Sequence, residues 1–120
     1  MADRETEIAS FLPLAPATFH ILLSLAEEDR HGYAIIQDVE ARTGGEVSLS
    51  AATLYRSIHR MLLEGLLVES RERPPAELDD ERRRYYRITP LGASVARAEA
   101  RRLSQLVAMA RARGFAPQEA

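Results

Sequence analysis

Residues Ser48 to Gly65 read SLSAATLYRSIHRMLLEG, and their spacing sets the architecture of the chain. Ser50 is placed as an N-cap, because a short hydroxyl side chain can accept a hydrogen bond from an otherwise unpaired N–H of the first turn. Gly65 suits the left-handed position that ends a helix. Between them Leu54, Ile58, Met61 and Leu62 fall on one helical face and form a stripe for burial. The other face carries Ala51, Ala52, Tyr55, Arg56, His59 and Arg60. Small residues in the first turn let a helix N-terminus come close to a polyanion, where its free N–H groups and dipole favour phosphate. The stretch predicts a helix with one side for a core and one for a partner.

Working outward, Leu12 to Glu28 holds Phe19, Leu22, Leu23 and Ala26 at helical spacing after Pro13 and Pro16, which predicts a first core helix. After a break at Glu28-Asp29-Arg30, HGYAIIQDVEARTGG puts Gly32, Ile35, Ile36 and Val39 on one face of a second helix, stopped by Gly44-Gly45. His31 is expected to cap or pack at its start. Tyr33 and Tyr86 are expected as core aromatics whose hydroxyls find partners. Downstream, Leu66, Leu67 and Val68 begin a short strand and RYYRIT a second. Alternation in the second directs Tyr86 and Ile88 to the core and Tyr85 and Arg87 away from it. The connection from Arg73 to Arg83, with Pro74-Pro75 and the acids Asp79, Asp80 and Glu81, is too long for a two-residue hairpin turn.

Thr89 and Pro90 have the cap and first-turn chemistry of a long helix that runs to Gly114. Within it Ala96, Ala100, Leu103, Val107 and Ala110 recur at helical spacing, with Leu106 and Met109 beside them. So regular a stripe is not a solvated tail. It is covered either by another copy of the chain or by packing back onto the chain's own first helix. Helix, helix, helix, strand, loop, strand, helix is the order of a winged helix-turn-helix, a mainly α fold with a small β-hairpin (α+β) and here a long C-terminal dimerisation helix. The expected divisions are an N-terminal arm at 1–11, the winged domain at 12–89, the long helix at 90–114 and a frayed tail at 115–120.

Composition is consistent with one domain: 120 residues, 46% hydrophobic and 28% charged. A chain of this size buries only about two thirds of its unfolded surface, so leftover apolar area calls for a partner. The absence of cysteine excludes disulfides, thiolate zinc sites and a cysteine nucleophile, and suits a reducing cytoplasm. MADRETEIAS has no apolar signal core, and no apolar run approaches the roughly 20 residues needed to span a bilayer, so no membrane partner is expected. The net charge of −2 hides an asymmetry: residues 1–50 hold 3 Arg against 9 acids, and residues 51–120 hold 13 Arg against 9. All sixteen basic residues are arginine, whose planar fork fits phosphate and guanine, although GC-rich coding produces the same usage.

His20, His31 and His59 are too scattered for a metal site, and no phosphate-binding glycine loop or nucleophile elbow is present. No catalysis and no cofactor are expected.

HGYAIIQDV, LSAATLYRSIHRMLLEGLL and RRRYYRITPLG, in this order, resemble the PadR-like transcriptional regulators over about Leu14 to Gly92. The resemblance implies a homodimeric repressor that pairs through its N- and C-terminal helices and binds double-stranded operator DNA. In some members a small molecule releases the DNA; multidrug-sensing relatives stack ligands on a tryptophan that this chain lacks, so no effector pocket carries over. The wing also has PPAELDDERRR in place of the compact Gly-Arg-Pro-Arg tip of many relatives. Matched to the family's recognition helix, Ser50, Ala51 and Thr53 approach DNA at its start, and Tyr55 donates to a phosphate. Arg56 reads a phosphate or a guanine edge, and Arg60 contacts the backbone. Arg82, Arg83 and Arg84 stand where the wing returns toward DNA. The dimer interface is expected at Ala96, Ala100, Leu103, Leu106, Val107 and Ala110. The alternative is a winged-helix protein-interaction module whose arginines serve only as solvated charge.

Overall fold

The computed structural model describes residues 2–70 and 84–115. Along the chain lie α1 (Ala2–Ser10), α2 (Pro16–Ser24), β1 (Arg30–His31), α3 (Gly32–Arg42), α4 (Ala51–Leu63), β2 (Leu67–Glu69), β3 (Tyr85–Ile88) and α5 (Pro90–Ala112). The arm is thus a helix, and two residues after the first break form an additional strand. The helix, ADRETEIAS, has too few apolar residues to show a stripe, and the strand is too short to show alternation.

Three caps set the helix starts as expected. The Ser50 hydroxyl accepts from the Thr53 N–H at 3.1 Å, the Thr89 hydroxyl from Gly92 at 3.0 Å, and the His31 Nδ1 from Ala34 at 3.2 Å. Each satisfies a first-turn donor that has no carbonyl within the helix. Gly65, at φ 79°, ends α4 in the left-handed conformation and sends the chain into β2.

The core is built from Ile21 and Leu22 of α2 with Leu25 just past its end, Ile35 and Val39 of α3, and Leu54, Ile58 and Met61 of α4, closed by Leu66, Leu67, Tyr86 and Val95. On α4 and α3 the buried stripe is the one the spacing gave, with Leu62 and Ile36 at its edges. On α2 the phase differs: Leu23 and Ala26 are exposed, and Ile21 and Leu25 are buried instead. The run Ile21-Leu22-Leu23 has no polar residue to fix the phase, and the helix stops at Ser24, short of Ala26. Tyr33 is likewise not core but 60% exposed. It sits about 100° around the helix from Gly32 and off the Gly32-Ile35-Val39 face that is buried.

The sheet is antiparallel with order β1-β3-β2, pairing Arg30 with Tyr86, Leu67 with Ile88 and Val68 with Arg87. Tyr86 points inward and Arg87 outward, as alternation requires. The connection from Arg73 to Arg83 and the tail beyond Phe115 lie outside the described residues.

α5 divides in two. Its first half packs on α1 and α2, where Val95 and Glu99 are buried. There Gly92 comes so close to the Leu66 carbonyl that a β-carbon would collide with it. From Leu103 onward, Leu103, Leu106, Val107 and Met109 are exposed.

Candidate nucleic-acid interface

α3 and α4 form the helix-turn-helix, and a polar network holds α3 in place. Arg30 Nε donates to the Ser24 carbonyl at 2.7 Å, and Arg42 donates to the Ser24 hydroxyl at 2.9 Å and to Asp38 at 2.8 Å. Burial pushes the Asp38 carboxyl up, but hydrogen bonds from Arg42 and Ser24 and the nearby arginine charges outweigh it, leaving the group below its usual range. Three segments are thereby tied together: the end of α2, β1 and the last turn of α3.

On this support α4 presents Ala51, Ala52, Tyr55, Arg56, His59 and Arg60 to solvent. Ser50 is occupied within its own turn, its hydroxyl also donating to Thr53 Oγ1 at 3.0 Å. Ala51 and Ala52 leave the helix N-terminus sterically open. Arg56 is exposed and makes no ion pair among the described residues. Arg60 reaches Glu64 at 3.4 Å, an exposed pair of the kind worth about 0–1 kcal/mol and easily exchanged for a phosphate. Tyr55 is half exposed, and its hydroxyl lies against Gly32, where a β-carbon would clash with it.

At the root of the wing Asp29 joins both strands. Its carboxylate accepts from Arg87 of β3 at 3.0 and 3.2 Å and from the hydroxyl of Ser70, just past β2. The Arg87 hydrogen bonds lead in holding the Asp29 carboxyl below its ordinary value. His31 and Tyr85 meet edge to face, with centroids 5.3 Å apart. Arg84 reaches Glu69 at 3.5 Å across the strands. Arg82 and Arg83 lie outside the described residues, as do Asp79, Asp80 and Glu81.

Of the residues expected at a dimer interface, Ala96 packs against the core of its own chain. Ala100, Leu103, Leu106 and Val107 are exposed, and Ala110 is partly buried. Sequence reasoning missed Gly32, Asp29 and Glu99 as positioning groups. Glu99 could have been found from Val95 and Arg102, which share its face at helical spacing. Asp29 is paired with residues 41 and 58 positions away, a relation no local pattern carries.

Among the described residues no group of three or more His, Asp or Glu is placed to hold a metal ion, and no helix is long and apolar enough to cross a membrane.

Known proteins share this arrangement. The model of the transcriptional regulator PadR-like family matches residues 21–98. The transcriptional regulator Rv3488 of Mycobacterium tuberculosis is 35% identical over 92 residues, covering 77% of this chain and 79% of that protein. A transcriptional regulator from Clostridium thermocellum superposes with a TM-score of 0.67 at 24% identity, covering 79% of this chain and 86% of the other. RosR of H. salinarum does so with a TM-score of 0.59 at 26% identity, covering 82% and 79%. The chain belongs to the PadR-like family and is a transcriptional regulator of the winged-helix type.

Proposed function

We propose that the protein is a homodimeric repressor that binds an inverted-repeat DNA operator, with α4 in the major groove and the arginine-rich wing on the flanking backbone. The observation that carries this reading is the exposed face of α4, where Arg56 has no acidic partner among the described residues and the first turn is kept small by Ala51 and Ala52. A phosphate supplies the counter-charge, or a guanine edge the paired acceptors, that the described residues do not. Ser50 and Thr53 set the helix start, Tyr55 lies beside the first turn of α3, and Arg60 and Arg82–Arg84 meet the backbone.

The second copy is supported by the outer half of α5. Leu103, Leu106, Val107 and Met109 form an apolar strip that the described residues of their own chain leave uncovered. A groove of mixed character, lined by Ile8, Ala9, Leu12 and Ala98 together with Glu5, Ser94, Arg97 and Arg101, opens between α1 and the first half of α5. For an inverted repeat to be read, pairing along the strip must hold the two α4 helices about 34 Å apart, the separation that one turn of DNA demands. A dimer seated on a promoter excludes polymerase, which is why repression is the expected outcome.

The test is a titration of the DNA fragment upstream of the protein's own gene at two salt concentrations. Binding should weaken steeply with salt, the logarithm of the association constant falling by about 0.9 per phosphate neutralised for each tenfold rise. A dimer that fails to bind this fragment at low salt rejects the repressor and favours a protein-interaction module.

A further inference from the structure

Glu99 is a charged residue with only 2% of its surface exposed, in a domain whose other buried side chains are almost all apolar. Its carboxylate accepts from Arg102 Nε at 2.6 Å and Nη2 at 2.9 Å, and from the backbone N–H of Leu14 at 3.3 Å. Leu14 lies in the segment joining α1 to α2, so one side chain of α5 is bonded to the backbone of that linker. The position is also the last buried one on α5: Gly92, Val95 and Glu99 are buried, and from Leu103 onward the helix leaves the body of its own chain.

We infer that Glu99 is a positioning residue that fixes the angle at which α5 leaves the winged domain, and so fixes the half-site spacing that a pair of chains can read. This rests on the dimeric DNA-binding function proposed above and adds the residue that calibrates it. Each recognition helix of a dimer lies about 17 Å from the two-fold axis, half the separation set by one DNA turn. A tilt of about 10° at the exit of α5 moves it by about 3 Å, close to the rise of one base pair. Arg102 is on α5 itself, so its two bonds fix the orientation of the carboxylate. Of the three bonds, the one to the Leu14 N–H ties α5 to the rest of the chain, and an apolar residue at Glu99 would lose that tie.

The experiment is selection of binding sites from a pool of randomised duplex DNA by wild type, by Glu99→Leu and by Glu99→Leu/Arg102→Leu, neither variant having an acceptor for the Leu14 N–H. The double variant replaces the ion pair by apolar groups and serves if the single variant does not fold; circular dichroism and sedimentation establish folding and assembly. The wild type should enrich an inverted repeat with one spacing. A folded, dimeric variant should enrich the same half-site over at least three adjacent spacings. Its affinity for the wild-type spacing should fall about tenfold, as the binding-competent orientation becomes one of many. A variant that keeps the single wild-type spacing overturns the inference, as does one that loses the half-site sequence. A wild type that enriches no sequence removes the DNA-binding reading itself, a result distinct from either.

Discussion

The hydroxyl of Tyr55 on α4 lies against Gly32, the first residue of α3, where a β-carbon would meet the end of the phenol ring. The two helices of the helix-turn-helix thus touch where a half-exposed phenol lies on bare backbone. Gly32→Ala should push the half-exposed Tyr55 ring outward and destabilise the protein by at most about 1 kcal/mol, the low end of the cost of overpacking. In a Tyr55→Ala background the same change should be neutral or slightly stabilising, since alanine is the better helix former. A double-mutant cycle by urea denaturation measures the difference, and additive effects would show that the two residues do not meet.

Asp29 has a comparable role at the wing. Its bonds to Arg87 and Ser70 join both strands, and Asp29→Ala should lower stability by about 1–2 kcal/mol in urea denaturation, the range for a charge-assisted hydrogen bond that is partly exposed. The carboxyls of Asp29, held by Arg87, and Glu99, held by Arg102, are both depressed in the folded state. A depressed carboxyl binds its proton more readily in the unfolded chain. The stability these groups contribute is therefore complete above their ordinary values of 3.8 and 4.5 and is lost as the pH falls through the lower, folded ones. A denaturation midpoint that is flat from neutrality to about pH 5 and declines below it is expected, with a shallower decline in Asp29→Asn. An identical acid limb in that variant would contradict the assignment.

The parts legible in the sequence were those governed by local rules. Ser50 and Thr89 announced their helices because capping is a relation over three residues, and Leu54, Ile58 and Met61 because a one-sided helix repeats its burial every turn. The phase of α2 was not legible, since Ile21, Leu22 and Leu23 are equally apolar and only the neighbours that pack on them choose among them. Tyr33 misled because aromatic character says less than position: the buried arc of α3 is narrow, and the residue next to Gly32 falls outside it. In the candidate site, Arg56 and Arg60 could be placed on the outer face of α4 from spacing alone. Gly32, which touches Tyr55 of this face, and Asp29, which ties the strands of the wing together, act through contacts distant in sequence.

Arg56 and Arg60 should not be equivalent. Arg56 has no competing acid among the described residues, whereas Arg60 must give up Glu64 to engage DNA. Arg56→Ala should weaken operator binding by about 1–3 kcal/mol if it reads a guanine, with relaxed preference at one base position. Arg60→Ala should cost less and leave sequence preference intact. Replacing Arg83 and Arg84 together should weaken binding to all sequences and reduce the salt slope by about two. Gel-shift titrations on specific and random duplexes at two salt concentrations separate these cases. An unchanged slope in the Arg83/Arg84 variant would remove the wing from the interface.

The outer half of α5 offers the most direct test of assembly. Leu103 and Val107 are one turn apart on its exposed strip, beyond the last buried residue, so a glutamate at either position disturbs nothing in the monomer's core. In a dimer the same substitution buries a carboxylate against apolar side chains, a cost of several kcal/mol without a partner. Leu103→Glu or Val107→Glu should therefore sediment as a folded monomer and lose operator affinity in the same step. The loss arises because two half-sites are then read by two independent molecules rather than one. Melting behaviour close to that of the wild type, beside a halved mass, distinguishes this from simple unfolding. A folded monomer that binds the operator with undiminished affinity would separate assembly from recognition and leave the apolar strip of α5 to some other partner.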